Sequence, residues 1–204
     1  MRTNGLRAFA SIFALTLIVF SVSSATTTEQ AQAAPESEQN SFIMVTFPHD
    51  SDTVSFYDSW GARRSGGRTH RGIDIISPRR TEVRAVAEGT VATFGEQRLS
   101  GYFIRIEHAG GWTSSYMHLN NDTPGTDDGE AGIYAAIHPS IVEGATVHAG
   151  QVIGYVGDSG NAEGTVPHTH FELSYAGEKI NPYPYLLDVW EREQRGTTSE
   201  LIPS

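Results

Sequence analysis

The sequence predicts a mainly β chain with one globular domain, and three observations predict it. Gly is abundant, at 21 of 204 residues, and Pro stands at 9, a composition that favours turns and short strands over long helices. Several segments alternate apolar and polar residues with period two, the repeat of a half-buried strand. Hydrophobic residues make up 38% of the chain, enough for a single core, while no internal repeat at solenoid spacing and no second domain is found.

Taken in order, the chain opens with Arg2 and Arg7 ahead of an apolar run from Ala8 to Phe20. That run is short of the ~20 residues a membrane span needs, and the small residues Ser23-Ser24-Ala25 follow it. A secretory signal peptide over residues 1–25 is expected, with Ala31-Gln32-Ala33 as a more distant cleavage candidate and an uncleaved anchor as the alternative. Residues 26 to about 40 are Thr-, Glu-, Gln-, Ala- and Ser-rich without apolar periodicity, and the pattern turns globular from Phe42; a disordered spacer is expected, bounded at 26–46. The domain is expected over residues 47–190, with a polar tail over 191–204. The expected location is secreted, periplasmic or in the cell envelope.

The chain has no cysteine, which excludes disulfides, thiolate metal sites and lipid attachment through an N-terminal cysteine. Stability outside the cytoplasm then rests on packing and any bound metal. Loss of Arg2 and Arg7 with the signal segment takes the net charge from −10 to −12. That balance argues against nucleic acid or anionic lipid as the main partner. No membrane association is expected after signal cleavage, and a monomer is expected.

Within the domain, Gly61–Arg68 is rich in Gly, Arg and Ser and reads as a loop. Its Arg63, Arg64 and Arg68 are locally basic in an acidic protein: either a solvated loop, or one of them holds a substrate carboxylate, Arg68 being the candidate. Thr69–Pro78 follows. As a strand it puts His70, Gly72 and Asp74 on one face and turns Ile73 and Ile75 to the core. Gly72 leaves room for something bulky above it. A helix also brings positions i and i+4 together, but Gly72 and Pro78 disfavour one.

Val83–Phe94 comes next, with a turn at Gly89. Phe103–His108 alternates as a strand, Ala109-Gly110-Gly111 signals a hairpin, and Trp112–Leu119 returns as its partner. In that partner Trp112, Ser114, Tyr116 and His118 are expected to share one face. Asn120–Pro139 is polar and acidic and reads as a long loop, Val147–Gly157 as a turn and a strand, and Asp158–Gly164 as another loop. In Pro167–Leu173 a strand puts His168, His170 and Glu172 on one face and Thr169, Phe171 and Leu173 on the other. A short helix is expected to end near Trp190.

Catalytic zinc takes three protein ligands from His, Asp or Glu and keeps a fourth position for water. His70, Asp74 and one of His168 and His170 supply such a set; spacing alone does not choose between the two. The remaining histidines are candidate acids or bases, His118 foremost because its strand ends in a loop. No Gly-x-Ser-x-Gly elbow and no His-Glu-x-x-His helix motif occurs. His49, His108, His138 and His148 match no motif and are expected to be surface or structural residues.

Four segments in order carry a resemblance: His70–Ile75 with its Gly72-Ile73-Asp74-Ile75 core, Tyr116-Met117-His118-Leu119, Ala149–Gly157, and Pro167–Leu173. Over roughly Phe47 to Tyr183 the chain resembles the lysostaphin-type, or LytM-type, zinc endopeptidases. The resemblance implies a compact antiparallel β-structure of two sheets with a groove along one, with long loops and few short helices. It implies Zn2+ held by His70, Asp74 and His170, and His118 and His168 as the two active-site histidines that do not bind metal. It implies peptidoglycan peptides as substrate and hydrolysis of a cross-link or stem-peptide bond. Tyr116, Glu172 and Arg68 are candidates for substrate contact or for hydrogen bonds behind the ligands.

Three rivals stand beside this reading: a non-enzymatic activator of other cell-wall hydrolases, a secreted protease acting on proteins or free peptides, and a structural secreted domain that uses zinc only as a clip. One departure from the family pattern is the length of Asn120–Val147, with Asp122, Asp127, Asp128 and Glu130. These acids lack EF-hand spacing, and the insertion is expected either to wall the substrate groove or to be a tolerated surface loop.

Overall fold

The structure is a computed structural model that describes residues 42, 44–50, 52 and 54–200, with side chains through residue 196. The expected signal segment and most of the expected spacer lie outside the described residues. Among the described residues nine strands follow in chain order: β1 (Ile73–Ile76), β2 (Glu82–Arg84), β3 (Gly89–Gln97), β4 (Gly101–Glu107), β5 (Trp112–Leu119), β6 (Thr146–Val147), β7 (Val152–Tyr155), β8 (His168–Tyr175) and β9 (Glu178–Ile180). Seven form one antiparallel sheet in the order β1-β8-β5-β4-β3-β6, with β9 also on β8, and β2 pairs with β7 in a second sheet. The expected mainly β, two-sheet antiparallel architecture is what the chain adopts. Among the described residues no helix is long and apolar enough to cross a membrane.

Period-two alternation decides which way each strand faces. Ile73 and Ile75 of β1, Phe171 and Leu173 of β8, and Ile104 and Ile106 of β4 are fully buried, and meet Val83 of β2 and Ile153 of β7 in one core. At about 1.5–3 kcal/mol per buried aliphatic or aromatic side chain, this layer is the main source of stability in a chain without disulfides. The opposite face of β1, β5 and β8 is left to line a cleft.

Two expectations are revised at the ends of the domain. The chain is globular before residue 47: Met44 is buried, and Phe42 stacks on Trp112 with ring centroids 4.8 Å apart. The C-terminal helix does not stop near Trp190; α2 (Tyr183–Glu200) runs through most of the expected polar tail, after a short α1 (Ile133–Ala136). Nothing breaks the helix between Leu186 and Gln194, and Asp188–Arg192 and Glu191–Arg195 are spaced for i,i+4 ion pairs, at 3.1 and 3.5 Å. Glu193 accepts hydrogen bonds from the Phe47 amide and the Thr46 hydroxyl, at 2.7 and 2.9 Å, so the helix ties down the domain's first residues.

The insertion does not wall the cleft, since none of residues 120–147 lines it. It is anchored elsewhere. Ile137 bridges to Gly154 of β7, and Arg79, in the loop after β1, contacts Asp122, Asp127 and Asp158. These charges draw the insertion onto the loops that follow β1 and β7 rather than across the groove.

Candidate active site

The cleft, about 1080 Å³ in volume, lies over β1, β8 and β5. Three features of the backbone build it. Strand pairing sets Asp74 of β1 opposite His170 of β8, and Ile76 opposite His168. A missing side chain at Gly72 makes room: a Cβ there would stand 2.5 Å from the Phe171 carbonyl oxygen and 2.6 Å from His170 Nε2. The bulky group that Gly72 accommodates is therefore the His170 ring.

The third feature is a bulge. Tyr116 pairs with Ile104 and Leu119 with Tyr102, so Met117 and His118 of β5 stand against Phe103 alone. His118 takes φ +60°, rare for a residue with a side chain. A regular strand would keep Tyr116 and His118 on one face. The bulge separates them: His118 lines the cleft while Tyr116 is fully buried, edge-on to Phe171 at 5.3 Å. The Tyr116 hydroxyl accepts the Val86 amide at 2.9 Å. Tyr116 is thus a core residue and not a substrate contact, a correction to the strand-face expectation.

His70 Nε2, Asp74 Oδ1 and His170 Nδ1 converge, at 3.0 Å from His70 to Asp74, 2.8 Å from His170 to Asp74, and 2.9 Å between the imidazoles. What lies behind each ring fixes which nitrogen faces inward. A carbonyl only accepts, so the Ser59 carbonyl, 2.9 Å from His70 Nδ1, takes that proton and leaves Nε2 as a lone pair in the neutral ring. Glu172 Oε1 lies 3.3 Å from His170 Nε2 and 2.5 Å from Lys179 Nζ. Burial works against the Glu172 carboxylate, but the hydrogen bonds from His170 and Lys179 hold its pKa below the ordinary value. An ionised Glu172 accepts the Nε2–H, and His170 Nδ1 is then the inward lone pair.

Two imidazole lone pairs and a carboxylate oxygen thus share one small space, a donor set that a cation satisfies and that matches borderline metals such as zinc. Asp74 is suited to this: burial alone would raise it, yet the adjoining His170 and His70 rings hold its carboxyl far below the usual range. Its second oxygen accepts from Arg64 Nη2 at 2.5 Å.

His168 and His118 stand beside this trio. His168 Nε2 is 3.9 Å from Asp74 Oδ1, farther than either His70 or His170, and its ring is 5.1 Å from that of His118. Each donates Nδ1–H to a backbone carbonyl, His168 to Val166 and His118 to Ser159, both at 2.8 Å. Nε2 is therefore the basic atom of both rings. Burial, with the neighbouring His168, pushes the His118 pKa down to about 4.

All five histidine and aspartate candidates line the cleft together, as do Glu172 and Arg68. Arg68 folds back on its own loop, bonding the Ser65 carbonyl at 3.2 Å; Arg64 is the loop arginine that reaches Asp74. The Ser59 and Ser159 carbonyls that fix His70 and His118 carry no signature in sequence, since any residue supplies a carbonyl. The four histidines outside the motifs do other work: His49 and His108 are buried and bonded to the Glu82 and Glu88 carbonyls, His138 lies 2.8 Å from the Ser140 hydroxyl, and His148 is exposed.

Comparison with known proteins places the chain in a family. The model of peptidase family M23 matches residues 68–125 and 125–182. The chain is similar to the DD-carboxypeptidase/endopeptidase Mpg of Neisseria meningitidis, 34% identical over 127 residues that cover 62% of this chain and 25% of that protein. It is similar to the L-Ala--D-Glu endopeptidase of Bacillus subtilis, 32% identical over 149 residues, 68% of this chain and 41% of that protein. The chain therefore spans about a quarter and two fifths of the length of these relatives. Among solved structures, the catalytic domain of lysostaphin from Staphylococcus simulans superposes with TM-score 0.53 at 25% identity, over 68% of this chain and 98% of that domain.

Proposed function

The chain belongs to peptidase family M23, and from that premise we propose that it is a secreted zinc endopeptidase that hydrolyses peptide bonds in peptidoglycan cross-links or stem peptides. The observation that carries this reading is the convergence of His70 Nε2, Asp74 Oδ1 and His170 Nδ1, with two further imidazoles alongside. His70, Asp74 and His170 would hold the zinc. Bound there, zinc supplies a positive charge that brings the pKa of water toward ~7 and polarises the scissile carbonyl.

The proton chemistry belongs to His118 and His168. With Nδ1–H held by a carbonyl, either ring offers Nε2 to the attacking water. The protonated ring then stabilises the oxyanion of the tetrahedral intermediate and returns a proton to the leaving amine. Arg64 and Glu172 work behind the ligands, one on the second oxygen of Asp74 and the other on Nε2 of His170, and so fix the direction in which each lone pair points. A signal peptide over residues 1–25 would deliver the domain to the envelope or beyond it.

Digestion of purified peptidoglycan beside a generic protein such as casein, with and without chelator, tests the reading. Soluble peptidoglycan fragments, a chelator block and rescue by zinc are expected. His168→Ala should lower turnover about 10²–10⁴-fold while zinc stays bound; full activity in that variant would refute its role. Intact peptidoglycan and cleaved casein would favour a general protease. Neither digested, with stimulation of another hydrolase, would favour an activator.

A further inference from the structure

The cleft is charged at one end only. The chain as a whole is acidic, at 24 Asp and Glu against 14 Lys and Arg. Yet Arg63, Arg64, Arg68, Arg71, Arg105 and Lys179 line this one cleft, against Asp74 and Glu172 as its only carboxylates among the described residues. Strand register locates the cations. Ile73 lies opposite Phe171 and Ile76 opposite His168, so residues 63–71 enter β1 at the Phe171–Ser174 end. Arg105 pairs with Ser115, which pairs with Glu172, and Lys179 pairs with Ser174. The far end, past His168 and His118, is lined by uncharged residues such as Leu99, Asn161, Thr165 and Val166.

Both carboxylates in the cleft are already engaged. Asp74 is held by two histidines and Arg64, and Glu172 by His170 and Lys179. Four guanidinium groups, those of Arg63, Arg68, Arg71 and Arg105, are left with no carboxylate among the described residues; Arg68 and Arg105 touch only serine oxygens. Outside the cleft the pattern is mixed: Arg79, Arg84, Arg192 and Arg195 each pair with an acid, while Arg80 and Arg98 stand apart from one another in sequence and do not line a shared cleft. Unpaired like charges on facing walls repel each other, and a bound anion relieves that repulsion through forked guanidinium–carboxylate contacts.

We propose that the Glu172 end of the cleft binds the carboxylates of an acidic peptide substrate, so that the bond cleaved lies between a carboxylate-bearing side and an uncharged side. This rests on the peptidase reading and names the substrate class that the site selects. Arg63 and Arg71 bind the anion directly and Arg105 extends the site along the sheet, while the uncharged end accepts the rest of the chain without charge preference.

The test compares cross-linked peptides released from peptidoglycan, with carboxylates free or chemically amidated, on the zinc-loaded wild type and on Arg63→Glu/Arg71→Glu. Each guanidinium–carboxylate contact is worth about tenfold, so wild type should prefer the free acid by about 100-fold. The preference should sit in KM rather than kcat and shrink as salt rises. The double variant should lose it; both side chains are exposed, so the fold should hold by circular dichroism. Equal cleavage of free and amidated peptides by wild type overturns the inference and leaves the peptidase reading standing. An undiminished preference in the double variant overturns it too. Cleavage of neither peptide, with whole peptidoglycan also intact, overturns the peptidase reading and the inference with it.

Discussion

Removing Arg79 should destabilise this domain more at neutral pH than in acid. Arg79 lies between three carboxylates, in contact with Asp122 and 3.0 Å from each of Asp127 and Asp158. Asp122 and Asp158 have side chains 1% and 0% exposed, and beyond Arg79 each takes a backbone N–H, from Gly129 at 2.9 Å and Gly164 at 3.2 Å. Arg79→Ala leaves two buried carboxylates with no countercharge. Breaking a buried pair in this way costs about 3–5 kcal/mol; the exposed Asp127 contact adds less than about 1 kcal/mol. Arg79 is itself 20% exposed, so the lower end applies, about 3 kcal/mol, or roughly 6–12 °C in Tm for a domain of this size. The sign with pH follows from linkage. Burial already raises the Asp158 pKa while Arg79 opposes the rise; without Arg79 the folded state holds protons that the unfolded chain releases above about pH 4. The loss should therefore grow as pH rises from ~4 to ~7. Urea unfolding of wild type and variant at pH 4.5 and 7.5, followed by tryptophan fluorescence, measures it. A loss below about 1 kcal/mol at pH 7.5, or an equal loss at both pH values, would refute the reasoning. Because Ser159, next to Asp158, holds His118 through its carbonyl, turnover should fall as well.

Three further outcomes follow from the site and the core. Gly72→Ala should abolish zinc binding by the purified protein, measured by isothermal titration, because its Cβ would occupy the space of the His170 ring; wild-type affinity would mean that the ring stands elsewhere. Glu172→Leu removes the acceptor that orients His170, and zinc affinity should drop about 10–100-fold with the fold retained; an unchanged affinity would show that Glu172 only pairs with Lys179. His49 is buried and its pKa is pushed down to about 4 by burial, against the bond to the Glu82 carbonyl. The unfolded chain binds this proton first, so stability present above pH ~6.5 should be lost as pH falls toward ~4, by up to about 3 kcal/mol. His49→Gln should flatten that slope in denaturant titrations, and an identical slope would assign it to another group.

Much of the site was legible because strand faces are local. His168, His170 and Glu172 face the cleft while Thr169, Phe171 and Leu173 are buried, and the sequence alone predicted this from a repeat of two. Gly72 was legible as vacant space, though not as the seat of a particular ring. Tyr116 and His118 show where the local rule ends. The same repeat put them on one face, and a bulge whose cause lies in the pairing of β4 with β5 turned His118 outward. The length of α2 was underestimated because its outer residues are polar, whereas its i,i+4 ion pairs and its hold on Thr46 and Phe47 sustain it.

What the sequence determined by itself was therefore the class of fold, the candidate residues of the cleft and the faces of β1 and β8, since alternation, turn residues and side-chain type are all read within a few positions. Spacing left His168 and His170 equivalent, the family resemblance singled out His170, and strand register set it opposite Asp74; which carbonyls turn His70 and His118, where the insertion is anchored and why one end of the cleft is basic were decided by the tertiary structure alone. Each of these depends on register or contact between segments ten to a hundred residues apart, and such pairings are fixed only when distant strands close on a common core.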